Sequence, residues 1–126
     1  MRLITDHIVP GDSASHQVKV IVSDEPGAGG ACHAYAIAWP GPVAGGPDEA
    51  CYVHFQEGPI KEHGVNGVTH EALLAIVIDR LKCFQAGPYA CGANAIALSS
   101  CEEALRQLQK RTRERIARGV EGTHQA

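Results

Sequence analysis

The sequence has few aromatic residues and no long apolar run. Aromatic side chains make up 5% of the 126 residues, as two Phe, three Tyr and one Trp. No segment approaches the roughly 18 apolar residues that span a membrane. The opening stretch MRLITDHIVPGD has no apolar segment of signal-peptide length. We therefore expect a cytoplasmic protein with no membrane partner.

The cysteines do not form a disulfide pattern. Their number, five, is odd and their spacing is irregular: Cys32, Cys51, Cys83, Cys91 and Cys101. Extracellular disulfide frameworks usually have an even count at regular positions. The pattern predicts free thiols, most of them buried, in a reducing compartment.

Motifs for metal binding and for nucleophilic catalysis are also absent. The seven His and five Cys contain no Cys-x-x-Cys, His-x-x-x-His or His-Glu-x-x-His. Ser99 and Ser100 lie outside any Gly-x-Ser-x-Gly elbow. Glu102 and Glu103 point about 100° apart on a helix, which is typical of a solvated face. We expect no metal, no cofactor and no enzymatic activity.

The charge is unevenly distributed along the chain. A formal net charge of −3 argues against a general nucleic-acid binder. Between Arg106 and Arg118, however, six basic residues stand against the single acid Glu114. An anionic partner should therefore meet the end of the last helix.

The first 57 residues read as a β-rich part. Residues 1–15 are broken by Pro10 and Gly11 and indicate a loose or strand-capped N-terminus. Alternation of apolar and polar residues then predicts three strands, at His16–Ser23, Ala31–Trp39 and Cys51–Gln56. A Gly-rich turn and the Pro/Gly-rich loop 40–48 join them, which predicts an antiparallel meander that needs a second layer.

A two-helix hairpin over residues 69–119 supplies that layer. Thr69 is a good N-cap, and Gly87-Pro88 ends the first helix. The second helix runs from residues 89–93 to about Gly119, on the order of 40 Å. It carries a seam that follows a seven-residue repeat, formed by Asn94, Leu98, Cys101, Leu105, Leu108 and Thr112. With a connecting loop at 58–68 and a tail at 120–126, the prediction is one α+β domain.

The second helix is longer than the other elements can cover. We expect the hairpin to pack against a second copy of itself, which predicts a homo-oligomer. The alternative is that its last two turns project into water.

Three arginines and two residues of the hairpin turn are the candidate ligand-binding residues. Arg111, Arg115 and Arg118 share one helix face, where guanidinium groups repel each other unless an anion or acid lies there. Phe84 can stack a base, and the Asn94 amide can pair with adenine. The alternatives are a solvated basic face paired with acids of a neighbouring chain, and a core Phe closing the hairpin.

Longer motifs resemble a known family. The pattern FQ-x-GPIKE-x-GVNGVT-x-EALLAIVIDRL, followed by FQ-x-GP, N-x-x-AL with EEAL, and RT-x-x-R-x-x-RGVEGTH, covers Phe55 to His124. It resembles the phage anti-Thoeris sponge family, within the group of anti-Thoeris and anti-CBASS hairpin domains. The Gly-rich segment Asp24–Tyr35 is similar as well.

The resemblance implies a binding function in the cytoplasm of an infected bacterium. Members hold the cyclic ADP-ribose signal of Thoeris TIR proteins uncleaved, as dimers or hexamers with the ligand between subunits. Phe84 would then stack adenine, Asn94 would contact base or ribose, and Arg111 and Arg115 would hold the pyrophosphate. Some members also bind cyclic di- or trinucleotides at a separate symmetric site.

The chain departs from the family in ways that bear on the ligand. Where relatives read Cys-Arg-Glu-Asn, this chain has Cys91-Gly92-Ala93-Asn94, which removes two charges and argues against the cyclic-oligonucleotide site. The competing functions are an enzyme that hydrolyses the same nucleotide, a small nucleic-acid-binding protein and a structural phage protein.

Overall fold

The computed structural model describes the whole chain, Met1–Ala126, as two compact units. The first contains Met1–Gly58 and Val65–Gly67, and the second contains Pro59–Gly64 and Val68–Ala126. The main boundary falls beside the predicted end of the β-rich part at residue 57. That the whole chain forms a single domain stays a prediction.

The first unit is an antiparallel sheet of four strands in the order β1-β2-β3-β4. The strands are β1 (Arg2–Ile4), β2 (Lys19–Val22), β3 (Ala34–Trp39) and β4 (Glu49–His54). A short helix α1 (Ser13–Gln17) precedes β2, and a 3-10 turn (Ala28–Gly30) precedes β3. The predicted α+β class, with a β-meander first and helices after it, is confirmed.

The centre of the sheet holds the buried residues of this unit. Val22 is fully buried, and it faces Arg2 on one neighbouring strand and Tyr35 on the other. Ala36 and Ala38 of β3 are also buried. Small side chains on the central strand leave a thin core, so β4 at the edge stays almost entirely exposed.

Two details of the predicted meander were wrong. The sheet has four strands instead of three, because Arg2–Ile4 pairs with Val20–Val22. The predicted strand at His16–Ser23 starts late, because Ser13–Gln17 is helical. The Asp12 carboxylate caps that helix by accepting from the backbone N–H groups of Ala14 and Ser15.

The second unit is helical. It contains α2 (Ile60–His63), α3 (His70–Gln85) and α4 (Gly92–Ala117). The single turn α2 lies within the region predicted as a connecting loop. Thr69 caps α3 as predicted, accepting from the Ala72 backbone N–H at 3.1 Å.

Helices α3 and α4 pack along the predicted seam. Each of the six seam residues, from Asn94 to Thr112, is half-buried, while most of the residues between them are exposed. Ile78 is the buried residue of α3. At 26 residues, α4 is about 39 Å long. None of the helices is both long and apolar enough to span a membrane.

Candidate functional site

A groove lies at the tip of the hairpin, where α3 ends. Its volume is about 520 Å³, within the range of about 300–1,000 Å³ typical of small-molecule sites. The lining residues are Ile76, Asp79, Arg80, Cys83, Phe84, Gly87, Pro88 and Tyr89. The groove therefore combines apolar walls with one cation and one carboxylate.

Phe84 is the aromatic centre of this groove. Its ring makes an edge-to-face contact with Tyr89, with centroids 6.4 Å apart and planes at 71°. The guanidinium carbon of Arg80, one turn earlier on α3, lies 5.0 Å from the ring centroid. Phe84 remains 36% exposed. The position allows stacking of a planar group and does not close off the core.

Asn94 lies near the same tip, in the first turn of α4. The Cys91 thiol caps this helix by accepting from the Asn94 backbone N–H at 3.4 Å. The Gln85 side chain fixes the turn, because it accepts from the Cys91 N–H at 3.0 Å and donates to the Cys91 carbonyl at 3.2 Å. Asn94 itself is half-buried on the seam and is not among the groove residues.

The candidate arginines lie at the opposite end of α4. Seventeen residues separate Asn94 from Arg111, which is about 26 Å along a helix. One small ligand therefore cannot touch Phe84 and Arg111 of the same chain. Arg111 is exposed.

Arg115 is buried by the C-terminal residues 119–126, which we call the strap. The Arg115 residue is only 6% exposed. Its Nε donates to Glu121 Oε2 at 3.0 Å, and its two terminal nitrogens donate to three carbonyls, those of Val120, Thr123 and Gln125. The structure thus places this candidate ligand-binding residue inside an intramolecular network.

Arg118 is the C-cap residue of α4 and is also engaged by the strap. Its Nη2 donates to the Ala126 carbonyl at 3.1 Å, although the residue as a whole is exposed. The three arginines that share a face by sequence spacing therefore differ: Arg111 is open, whereas Arg115 and Arg118 contact the strap.

A second, more polar groove of about 340 Å³ lies at the two positions of α4 that follow Arg111. It is lined by Glu71, Gln109, Thr112 and Arg113. Because one carboxylate and one guanidinium line this groove, its charge is balanced. An anion should therefore bind less favourably in this groove than at the exposed Arg111 side chain.

Two further polar residues are held by hydrogen bonds within the protein. Asn66 binds the segment that follows β4: its side chain exchanges two hydrogen bonds of 2.8 Å with the Glu57 backbone, and its N–H donates to Gln56 Oε1. That N–H is therefore engaged within the protein. Hydrogen bonds from Gln107 and then Arg106 hold the pKa of Glu103 below its usual value, so Glu103 is ionised at neutral pH.

The cysteines are free, as predicted, but most are accessible. Cys51, Cys83 and Cys91 are exposed, and Cys32 and Cys101 are half-buried. The expectation of mostly buried thiols was wrong. Cys83 lines the groove and Cys91 caps α4, so both lie at the hairpin tip.

The sequence reasoning missed several residues of the groove. Arg80 precedes Phe84 by four positions, a spacing that brings side chains together on a helix, so this pair was recognisable. Tyr89 follows the Gly-Pro break, and only the fold of the turn shows that it faces Phe84. No sequence pattern indicated that Asp79 belongs to the groove.

Comparison with known proteins finds matches for this chain, and the family match runs from β4 into α4. Residues 47–113, more than half of the chain, match the family described as Acb2/Tad1, hairpin domain. The chain is similar to Thoeris anti-defense 1 from Bacillus phage SBSphiJ7, with 56% identity over 73 residues. This stretch is 58% of the chain and 51% of the relative, so the chain spans about half the length of that curated relative.

Proposed function

Because the chain belongs to the Acb2/Tad1 hairpin-domain family, we propose that it is a phage anti-defence protein that sequesters a nucleotide signal. The proposed ligand is the cyclic ADP-ribose-type signal of Thoeris TIR immunity, held without cleavage in the infected cell. The observation that carries this proposal is the 56% identity to Thoeris anti-defense 1. The region of identity is long enough to include most of a hairpin.

The groove at the hairpin tip supports a nucleotide as the ligand. Phe84 offers a stacking face, and base–aromatic stacking contributes about 1–3 kcal/mol per base. Asp79 can accept hydrogen bonds from ribose hydroxyls or an exocyclic amine. Arg80 provides positive charge beside the ring. These groups fit the base and ribose of an adenine nucleotide.

The distance between the two ends of α4 supports a site built from two copies of the chain. Within one chain, Arg111 lies about 26 Å along α4 from Asn94 at the hairpin tip, where a ligand would stack on Phe84. An antiparallel arrangement of two hairpins would bring Arg111 of one copy to the tip of the other. We therefore propose a homodimer, or a homohexamer built from dimers, with the pyrophosphate held across the interface.

Sequestration is favoured over hydrolysis by the chemistry of the groove. Its lining contains a single carboxylate, Asp79. Hydrolysis of a glycosidic bond by side chains usually uses a pair of carboxyl groups, one of them protonated. Sequestration needs only tight binding and slow release at an abundance that exceeds the signal.

The test is to incubate the protein with the signal made by an activated Thoeris TIR enzyme. The protein is removed by filtration and then heat-denatured, and both fractions are analysed by mass spectrometry. We expect signal to be lost from the filtrate and recovered intact after heating. Hydrolysed product would show an enzyme, and signal left in the filtrate would refute this ligand.

Two substitutions connect the function to the site. Arg111→Ala and Asn94→Ala should each lower signal binding strongly while the thermal unfolding midpoint stays close to wild type. Lys110→Ala is the matched control for Arg111, because Lys110 carries the same charge on the adjacent position of α4. A folded variant with wild-type affinity would remove that residue from the site.

A further inference from the structure

We propose that the strap occupies the anion-binding face of Arg115, so that an anionic ligand must displace the strap to reach this guanidinium. The inference rests on the proposed function, since it concerns the pyrophosphate half of the same site. It makes residues 119–126 a built-in competitor of the ligand.

The contacts of Arg115 show how completely the strap occupies it. A guanidinium has five N–H donors. Four of them are used: one by the Glu121 carboxylate and three by strap carbonyls. A phosphate is bound best by two parallel N–H donors. With one donor left, Arg115 cannot form that bidentate contact while the strap is in place.

The strap resembles an anionic ligand in its chemistry. The Glu121 carboxylate pairs with Arg115 Nε at 3.0 Å, in a position where the guanidinium is almost fully buried. Arg118, the next candidate phosphate ligand, donates to the same strap at Ala126. The segment therefore buries Arg115, contacts the exposed Arg118 and leaves Arg111 open.

Residues 120–123 of the strap are half-buried, but apart from Arg115 and Arg118 the strap makes few polar contacts with the rest of the chain. The Lys61 N–H donates to the Gly122 carbonyl at 2.9 Å. His124 Nδ1 lies 3.3 Å from Glu62 Oε1, and both side chains are more than half exposed. Exposed ion pairs contribute little to stability. The strap can therefore leave Arg115 without unfolding α3 and α4.

Competition of this kind selects among ligands. The strap offers one carboxylate, and a pyrophosphate offers two charged groups with more acceptor oxygens. A ligand with a single negative charge gains less from Arg115 and displaces the strap less readily. The strap thus favours diphosphate-containing ligands over monoanionic ones.

Two full-length variants release the strap by unrelated means. Glu121→Gln removes the paired charge. Gly122→Val destabilises the turn, because Gly122 has a φ of +78° and a Cβ there would lie 3.2 Å from Lys61 Cγ. The matched controls are Glu114→Gln, a carboxylate of α4 that does not contact Arg115, and Gly45→Val, a positive-φ glycine in an open loop.

The probe is inorganic pyrophosphate, titrated by calorimetry and compared with the monoanion nitrate. We expect pyrophosphate to bind about tenfold more tightly to Glu121→Gln and Gly122→Val than to wild type, since competition lowers the apparent affinity. The two control variants should bind as wild type does. Hydrogen exchange of residues 120–125 should accelerate when pyrophosphate is added to wild type.

Equal affinities in wild type and both strap variants, or strap amides that exchange no faster with pyrophosphate, would overturn the inference. Pyrophosphate that binds none of the proteins would overturn it as well. The proposed function fails separately: cyclic ADP-ribose would then bind neither wild type nor variants, while the difference in pyrophosphate affinity would persist.

Discussion

The guanidinium carbon of Arg80 lies 5.0 Å from the centre of the Phe84 ring, so a cation already covers part of that aromatic surface. The two residues are one helical turn apart on α3. A base that stacks on Phe84 must therefore use the ring surface that Arg80 leaves free, next to Tyr89. The pair determines where a planar ligand can enter the groove.

Replacement of Arg80 should weaken ligand binding. Arg80→Gln removes a cation–π contact and a positive charge from the groove, and we expect about three- to tenfold lower affinity for the Thoeris signal. Lys82→Gln is the control, because Lys82 carries the same charge on α3 but does not line the groove. Calorimetric titration measures both. Equal losses in the two variants would indicate only a general charge effect.

A mixture of two inactive variants should regain binding if the site is shared between copies. Phe84→Ala and Arg111→Ala each remove one half of every site in a homodimer. After subunit exchange, a mixed dimer contains one intact site, so an equal mixture should recover about a quarter of the wild-type capacity. Native mass spectrometry with the signal measures this capacity. A mixture that binds no better than its components would place the site within one chain.

Arg115 and Arg111 should differ in their effect on stability. Arg115→Ala removes the donor of the Glu121 carboxylate and of the Thr123 and Gln125 carbonyls, and we expect a loss of about 2 kcal/mol in the free energy of unfolding. Arg111→Ala is a surface change and should stay within about 0.5 kcal/mol. Urea unfolding compares the two. Similar losses would mean that the strap network contributes little to the folded state.

The stability of the β-rich unit should fall in acid because of Asp24. The His33 backbone N–H donates to Asp24 Oδ2 at 2.9 Å and holds the pKa of this carboxyl below its ordinary value of 3.8. A depressed folded-state pKa contributes stability above pH 3.8 and loses it as the pH falls through the lowered value.

Asp24→Asn tests this dependence. The difference in unfolding free energy between wild type and Asp24→Asn should be constant near neutral pH and shrink below pH 3.8. Glu25→Gln, at the exposed neighbouring position, should leave the acid response unchanged. A difference in unfolding free energy between wild type and Asp24→Asn that is the same at every pH would contradict the lowered pKa of Asp24.

The helical part could be predicted from the sequence because its signals are local. Thr69 and the Gly87-Pro88 break mark the ends of α3, and a seven-residue repeat marks the buried side of α4. Extended by one more step, that repeat reaches Arg115. The repeat could therefore have predicted that Arg115 is buried. It could not have predicted that the strap is the segment that buries it.

The sequence did not predict β1 or the strap, because both form through contacts with residues distant in the chain. Arg2–Ile4 is too short to show alternation, and it forms a strand only because β2 lies beside it. No local sequence pattern predicts the strap, for the same reason. Its turns at Gly119 and Gly122 direct the chain back onto Arg115, and that return depends on tertiary contacts.

The exposed edge of the sheet has a practical consequence for work with the pure protein. β4 pairs with β3 on one side, and its six residues include no Pro and only one carboxylate, Glu49. Edges of this kind template the addition of further strands, which leads to fibrous aggregates at high concentration. Tyr52, 81% exposed in the middle of β4, is the position where a lysine would best prevent such growth.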